Sequence, residues 1–467
     1  MKNLTRRDLL MQAGRGFGGV ALASMLQGAG VNPLAPKAGH LPPRAKNVIY
    51  LFMHGGVSHV DTFDPKPALT KHDGQTISAE AAKGLKTNRI DFAKAPMRGT
   101  PWKFHRHGQS GMEISELFPQ IATKADEIAL IRSCYGDAFD HAPAIYLRNT
   151  GSQFPGQPCL GSWVVYGLGS ESQNLPAFVV MSDGATKSGP QAYASGFLPA
   201  VYQGTVFRGG SHPVLNLATP HGVSAKAQRA TLDFINEQDK RHQEPRAYDS
   251  ELEARIQSYE LAYRMQSAAP EAVDIEKESA ATKKLYGIGE GVTDDFGRKC
   301  LLARRLVERG VRFVQLYSGT NIGEDWDDAH TDLAASHTKM CRKTDLPIAG
   351  LLSDLKSRGL LDSTLVVWSS EFGRTPLAEG KNGRDHHPYA FSMWMAGAGI
   401  KGGQVLGSSD DFGLRAQESP FSVHDVNATI LRMIGLDHTR LTYPYQSRDM
   451  RLTDVHGEHE FTAKLVS

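Results

Sequence analysis

The sequence has little cysteine and no bias of charge, and each feature excludes classes of protein. Its 467 residues include four cysteines, Cys134, Cys159, Cys300 and Cys341, and no C-x-x-C pair. This spacing argues against a structural zinc knuckle or a thioredoxin-like motif. In an oxidising compartment the four form up to two disulfides; otherwise they are free buried thiols. The formal net charge of +2 gives no indication of a nucleic-acid partner.

The chain also lacks a hydrophobic run that is long and apolar enough to be a clear membrane span. Its first 30 residues have a basic start and an Ala/Gly-rich tract, and residues 5–10 (TRRDLL) resemble a twin-arginine export signal. We therefore predict a signal peptide at 1–30, read by the twin-arginine export machinery, and a linker at 31–46. The expected location is periplasmic or secreted, with no stable transmembrane segment after signal removal. The alternative for this segment is a basic amphipathic helix.

The remaining composition, 40% hydrophobic and 22% charged, is that of an ordinary globular protein. Apolar runs that end in polar turns alternate with helical patterns, which predicts an α/β fold over 47–467. The central sheet is expected to be mostly parallel, with helices on both faces. We predict strands at 47–53, 127–133, 176–181, 311–318, 364–370 and 391–397. Further predictions are an insertion at 68–112, a helix at 114–125, and a helical insertion at about 185–310.

Polar side chains that suit a metal ion follow several of these predicted strands. Open α/β sheets bind ligands beyond the carboxyl ends of their strands, so these side chains are expected at one edge. Carboxylates and imidazoles are ligands of Zn, Mn or Ca, and we expect one or two divalent ions there. The candidate metal ligands are Asp61, Asp327, His330, Glu371, His386 and His387.

Five motifs resemble those of a known family: HGGVSHVDTFDPKP from residue 54, WDDAHTD from 326, SSEFGRTP from 369, GRDHHP from 383 and HDVNATILRMIGL from 424. The family is domain-of-unknown-function family 1501 (DUF1501), an exported, sulfatase-like branch of the alkaline phosphatase superfamily. The resemblance runs from about residue 46 to the carboxyl terminus. It implies an alkaline phosphatase-like fold and a pair of metal sites that use the ligands above.

The chain departs from the superfamily pattern at three positions. Phe372 stands where a ligating histidine is usual, and His54 stands where an aspartate is common, for which Asp61 is a substitute. In the segment HAPAIYLRNTG, His141 occupies the position of the sulfatase nucleophile. Histidine acts as a nucleophile or a general base, but it cannot become the formylglycine of a sulfatase. The resemblance therefore disfavours the usual sulfatase mechanism.

The resemblance implies an exported metal-dependent hydrolase of phosphate or sulfate esters. Its substrate would be an anionic small-molecule or polysaccharide ester, not a nucleic acid. The expected catalytic residues are His141 as nucleophile or base, Arg374 as charge stabiliser and Ser58 as a spare hydroxyl. The alternative is a secreted, non-catalytic binding or scaffold protein that retains the fold.

Overall fold

The structure is a computed structural model. It describes residues 32–466 except 183, 210–212, 215, 216, 218, 220, 244–249 and 320–323. The predicted signal peptide therefore lies outside the described residues. The described part of the predicted linker runs along the body of the protein, where Lys37 N–H donates to Leu168 O and Ala45 N–H donates to Met433 O.

The strands begin after the predicted linker and continue almost to the carboxyl terminus. They are β1 Asn47–Phe52, β2 Phe104–His107, β3 Met112–Ser115, β4 Ile128–Tyr135, β5 Phe178–Met181, β6 Thr205–Phe207, β7 Phe313–Tyr317, β8 Thr364–Ser369, β9 Gly373–Arg374, β10 His386–His387, β11 Phe391–Ala396, β12 Gln404–Leu406, β13 Ser408–Ser409, β14 Ala416–Glu418, β15 Phe421–Ser422, β16 Tyr443–Tyr445 and β17 Arg448–Met450. All six predicted strands are confirmed, with bounds that differ by a few residues.

The helices fall between and around these strands. They are α1 His59–Thr62, α2 Pro67–Lys71, α3 Ala79–Ala82, α4 His141–Thr150, α5 Leu160–Leu168, α6 Ala225–Gln243, α7 Ser250–Val273, α8 Ala280–Leu285, α9 Asp294–Glu308, α10 Leu333–Ser357, α11 Val423–Met433 and α12 Thr462–Val466. Helix α11 begins with a reciprocal capping box between Ser422 and Asp425, which fixes its start next to β15.

In the described residues, nine strands form one sheet in the order β12-β4-β11-β8-β1-β7-β5-β6, with β15 beside β4. β1 pairs in parallel with both β7 and β8, and β5 continues the parallel set beyond β7. β11 is antiparallel to both of its neighbours. The predicted α/β fold with a mostly parallel central sheet is confirmed.

The sheet is buried on both faces, and β1 shows why its sequence is apolar throughout. Val48, Tyr50 and Phe52 belong to a core with α4, α5, α11 and α12. Ile49 and Leu51 belong to the opposite core, with α7, α9 and α10. A strand covered on both faces has no polar side, so it reads as a continuous apolar run.

The predicted helix at 114–125 is wrong. Met112–Ser115 instead forms strand β3 of a hairpin with β2, and only Ile121–Lys124 is helical, as one short 3-10 turn. The hairpin turn contains Gly108 and Gly111, both with positive φ, a conformation that glycine adopts without steric cost. Ile114 forms its backbone hydrogen bonds with the facing strand Phe104–His107. The apolar spacing of 114–125 does not reveal this pairing, so it wrongly predicts a helix.

Three further features bear on the sequence predictions. All four cysteines are free and buried, which agrees with the alternative of free buried thiols rather than disulfides. Within the predicted insertion at about 185–310, β6 joins the central sheet and α9 packs beneath it; the domain boundaries themselves stay a prediction. No helix in the described ranges is long and apolar enough to cross a membrane.

Candidate metal centre

The parallel strands bring the functional side chains to one edge of the sheet. β1 is followed by His54, and β4 is followed by His141, the first residue of α4. The loop after β5 carries Lys187, and the loop after β7 carries Asp325 and a 3-10 helix, Trp326–His330. β8 is followed by Glu371. The carboxyl-edge position predicted from the sequence is therefore where these residues meet.

Four of the residues at this edge form a compact cluster: His141, Asp327, His330 and His386. Each offers one ligand atom, and these atoms lie within 4.8 Å of one another. Asp327 Oδ1 is 2.8 Å from His141 Nε2, 3.2 Å from His330 Nε2 and 3.1 Å from His386 Nε2. A tetrahedral zinc site with bonds of about 2.1 Å places its ligand atoms about 3.4 Å apart. A small expansion of the cluster would therefore hold one ion.

The three imidazoles have their Nδ1 atoms tied to acceptors. His141 Nδ1 lies 2.8 Å from Glu371 Oε1, and His386 Nδ1 lies 2.7 Å from the Phe139 carbonyl. His330 Nδ1 bonds to the Glu379 carboxylate. A carbonyl or an ionised carboxylate only accepts, so Nδ1 of each ring donates, and Nε2 of each neutral ring carries a lone pair. Metal-binding histidines are held by such bonds at the other nitrogen.

The lone pairs point towards each other as well as towards Asp327. His330 Nε2 and His386 Nε2 are only 2.8 Å apart. With both Nδ1 atoms donating, two neutral rings would face each other with two acceptors and no proton. A cation between them, either a proton or a metal ion, removes that conflict. The donor set of the cluster, three imidazoles and one carboxylate, suits zinc or a similar divalent ion.

Two side-chain cations flank Asp327 on different oxygens. Arg374 Nη2 is 2.8 Å from Oδ1, whereas Lys187 Nζ is 2.6 Å from Oδ2. Lys187 Nζ also lies 3.0 Å from Asp325 Oδ2 and 3.3 Å from His141 Nε2. The ammonium thus sits beside the imidazole cluster, on the far oxygen of the same carboxylate.

The charges at the cluster shift several pKa values. Burial opposes ionisation of Asp327, but bonds to the three imidazoles and the charge of Arg374 hold its pKa well below its ordinary value. Burial lowers the pKa of His386. For His141 burial acts in the same direction, but the carboxylates of Asp327 and Glu371 outweigh it and raise its pKa. A metal ion would displace the Nε2 proton that this favours.

Glu371 lies behind the cluster rather than in it. Its Oε1 accepts from His141 Nδ1 and from the Gly55 N–H, both at 2.8 Å, and the residue is 3% exposed. Burial would raise the pKa of Glu371, but its contacts with His141 lower it. Glu371, predicted from the sequence as a direct ligand, therefore contacts His141 and is not one of the four residues of the cluster.

Phe372, which follows Glu371, takes the place of the usual histidine. Its ring centroid is 4.4 Å from that of His386 and 5.1 Å from that of His141. The apolar ring packs against these two imidazoles and offers no ligand atom to an ion. Gly56, at φ +89°, makes room for it, because a Cβ there would lie 2.7 Å from the Phe372 ring.

Besides Glu371 and Arg374, which contact the cluster, three predicted site residues lie away from it. Asp61 is fully buried in an ion pair with Arg384, at 2.8 Å, and Ser58 Oγ donates to Asp61 at 2.5 Å. His387 Nε2 lies 2.9 Å from the Leu414 carbonyl, and its ring stacks on His59 at 5.8 Å. Asp61, Ser58 and His387 are therefore not part of the cluster around Asp327.

Several residues of the site escaped the sequence reasoning. Lys187 follows the predicted strand at 176–181 without any motif of its own, and Asp325 stands two residues before Asp327 in the same acidic loop. Glu379, the partner of His330, lies in a loop without any pattern of its own. Only the hydrogen bond to His330 reveals it.

A family model described as "Protein of unknown function (DUF1501)" matches residues 45–462. No curated protein sequence matches the chain significantly. Among solved structures, an alkaline phosphatase from the Antarctic bacterium TAB5 is similar at 10% identity and a TM-score of 0.38, over 85% of this chain and 99% of that one. A sulfatase from Pseudoalteromonas sp. is similar at 14% identity and a TM-score of 0.35, over 90% and 72%. A phosphonate monoester hydrolase from Silicibacter pomeroyi has 11% identity and a TM-score of 0.34, over 87% and 76%.

Proposed function

The chain belongs to the DUF1501 family, and from that premise we propose that it is an exported, metal-dependent hydrolase of phosphate or sulfate esters. One observation carries the proposal. Three imidazoles, each fixed through Nδ1 by an acceptor, turn their Nε2 atoms towards one carboxylate oxygen of Asp327. The proposed ligands of a single divalent ion are His141, Asp327, His330 and His386.

A divalent ion bound there supplies Lewis-acid polarisation of an ester oxygen and a water molecule of lowered pKa. The protein side chains hold the ligands in place for this chemistry. Glu371 and Glu379 accept hydrogen bonds from the Nδ1 atoms of His141 and His330, so the Nδ1 atoms stay protonated. Such outer bonds fix the tautomer and the orientation of a ligating imidazole.

This arrangement supports a role for His141 that differs from nucleophilic attack. Nδ1 of His141 faces Glu371, and its Nε2 faces Asp327 at 2.8 Å. Neither nitrogen is left to attack a substrate while the ring also serves as a ligand. We therefore assign His141 to the ligand set and attribute the attack to water.

The two cations also have different parts in the proposal. Arg374 is fully buried and bonds to the carbonyl groups of Gly55 and Gly56 as well as to Asp327. It positions Asp327 and does not reach solvent. The Lys187 side chain is 23% exposed, so its ammonium is the cation that can meet the anionic group of an ester.

Export rests on the amino-terminal sequence alone. The paired Arg6 and Arg7, with the Ala/Gly-rich tract behind them, support twin-arginine export to the periplasm or the exterior. The machinery of this pathway exports folded proteins, which suits a chain that takes up its metal before it leaves the cell.

The test compares two adjacent histidines. We expect purified wild-type protein and the His387→Gln variant to contain one divalent ion per chain and to hydrolyse members of a panel of phosphate and sulfate esters. The His386→Gln variant should lose at least ten-fold in metal affinity and a similar factor in turnover, because it lacks the imidazole ligand. Metal content by mass spectrometry and initial rates measure both effects.

The possible outcomes separate the two hypotheses for this chain. If metal is bound through His386 but no ester is hydrolysed, the alternative of a non-catalytic binding or scaffold protein replaces the hydrolase. If the wild-type protein folds without any metal and the two variants behave alike, the metal centre itself is refuted.

A further inference from the structure

Arg148 is a buried guanidinium that has no carboxylate partner in the described part of the chain. It lies near the end of α4 and is 1% exposed. Its Nε and Nη1 atoms have no hydrogen-bond acceptor there, and Nη2 reaches only the Met393 sulfur at 3.8 Å. By contrast, Arg304, Arg374 and Arg384 are equally buried and each forms an ion pair with at least one carboxylate.

The groups that contact the Arg148 guanidinium among the described residues are neutral. Its guanidinium carbon lies 5.6 Å from the centre of the Tyr50 ring. The Tyr50 hydroxyl interacts with Arg148 and Ser369 but forms no hydrogen bond of good geometry with a described residue. Burial raises the pKa of Tyr50 and raises that of the neighbouring Cys134 thiol to about 12. Both groups therefore remain protonated and neutral at physiological pH, so neither balances the guanidinium.

An unbalanced charge in a protein core is costly even after the surroundings relax. Buried water would accept hydrogen bonds from Nε and Nη1, but water is neutral and would leave the charge of the guanidinium in place. A monovalent anion satisfies the donors and balances the charge. Tyr50 Oη, a protonated hydroxyl, adds a further donor on the same side of the sheet.

We propose that a small monovalent anion, chloride under physiological conditions, binds to Arg148 between the central sheet and helices α4 and α11. The donors are Nε and Nη1 of Arg148 together with the Tyr50 hydroxyl. The side-chain nitrogen of Asn427 in α11 donates to the Arg148 carbonyl at 3.3 Å, which ties α11 to the end of α4. The site is independent of the metal cluster, although α4 carries both Arg148 and His141.

The first experiment uses the wild-type protein crystallised in sodium bromide. Bromide replaces chloride and scatters anomalously, so the expected result is one bromide peak within hydrogen-bond reach of Arg148 Nε and Nη1. Water density at this point without an anomalous peak, or side chains that leave no space for any ion, would overturn the proposal.

The second experiment measures thermal unfolding in sodium chloride and in sodium gluconate at equal ionic strength. A ligand at about 100 times its Kd raises the Tm of a chain of this size by roughly 2–3 °C, and we expect a saturable increase of this size in chloride. The Arg148→Met variant should lose the chloride dependence. If Arg148→Met keeps the same chloride-dependent shift as wild type, the anion does not bind there.

The matched control is Arg304→Met. Arg304 is also 1% exposed, but it pairs with Glu278, Glu308 and Asp354. This variant is expected to lose stability in both salts and to retain the chloride-dependent shift. Should Arg148→Met fail to fold in either salt, the bromide experiment on the wild-type protein decides the question alone.

Discussion

His386 and His387 are neighbours in β10, yet they belong to different regions of the molecule. His386 donates through Nδ1 to the Phe139 carbonyl and turns Nε2 towards Asp327. His387 bonds through Nε2 to the Leu414 carbonyl and lies in the core against His59. Successive side chains of a strand point to opposite faces. That alternation, rather than residue type, decides which histidine joins the cluster around Asp327.

Two aspartates make the same contrast. Asp327 is about one quarter exposed and shares one oxygen with three imidazoles and Arg374. Asp61 is fully buried, and one arginine and one hydroxyl occupy its oxygens. Both carboxylates have lowered pKa values. A lowered pKa therefore does not distinguish the candidate metal ligand from the structural ion pair. The three imidazoles around Asp327 and its access to solvent do.

The sharpest way to break this comparison is to remove each carboxylate charge in turn. We expect Asp327→Asn to lose bound metal and ester hydrolysis by more than the 10–100-fold that is typical of changes outside the ligand set. Asp61→Asn should retain its metal but lose about 3–5 kcal/mol of unfolding free energy, because Arg384 keeps a buried charge without its partner.

Metal titration and urea unfolding measure the two effects separately. Each variant serves as the control for the other, since both replace an aspartate by its amide. Metal loss in Asp61→Asn at full stability, or an unaffected metal content in Asp327→Asn, would contradict the division into two regions.

A smaller effect is expected behind the cluster. The Glu371→Gln variant keeps an oxygen that accepts from His141 Nδ1 but loses the negative charge that supports the imidazole. We expect metal affinity to fall about 10–100-fold, the usual result of changing a partner of a ligand. Competition with a chelator measures the affinity. An unchanged affinity would show that Glu371 does not act through His141.

The smallest effect concerns His337, a buried neighbour of the Asp61 region. Its Nε2 accepts from the Ser58 N–H at 3.0 Å, and burial lowers its pKa from 6.5 to about 3. The unfolded chain therefore binds a proton below pH 6.5 that the folded protein does not bind until about pH 3. Stability should fall with pH across this window, by about 1.4 kcal/mol per unit.

The His337→Gln variant tests this origin of the acid sensitivity. Its side-chain oxygen can accept from Ser58, but the residue does not titrate. Urea unfolding at pH 6 and pH 5 should show a smaller loss in the variant than in wild type, by about 1.2 kcal/mol. Equal losses in the two proteins would assign the acid sensitivity to other groups.

The fold was predictable from the sequence because burial on both faces leaves a direct mark. The apolar run Asn47–Phe52 and the five other predicted strands are present, and the parallel order follows from their alternation with helices. The segment at 114–125 failed, because its apolar spacing fits both a helix and the β2–β3 hairpin. Long-range pairing decided between the two, and local spacing does not contain it.

Part of the candidate site could be predicted, because the predicted strands also fix where their ends lie. Strand ends locate Asp327, His330 and His386 at one edge, since parallel strands end together. The sequence does not distinguish Glu371 from the four residues of the cluster, nor His387 from His386. Lys187 and Glu379 were missed because their contacts with Asp327 and His330 join segments about 140 and 49 positions apart.

The sequence by itself determined the α/β architecture, the edge at which acidic and imidazole side chains collect, and the family to which the chain belongs. Only the tertiary structure decided which of those side chains face one another. The physical reason is that a ligand set is defined by distances and by the hydrogen bond at the far nitrogen of each imidazole. Both arise when separate loops pack together, and neither leaves a periodic pattern in the chain.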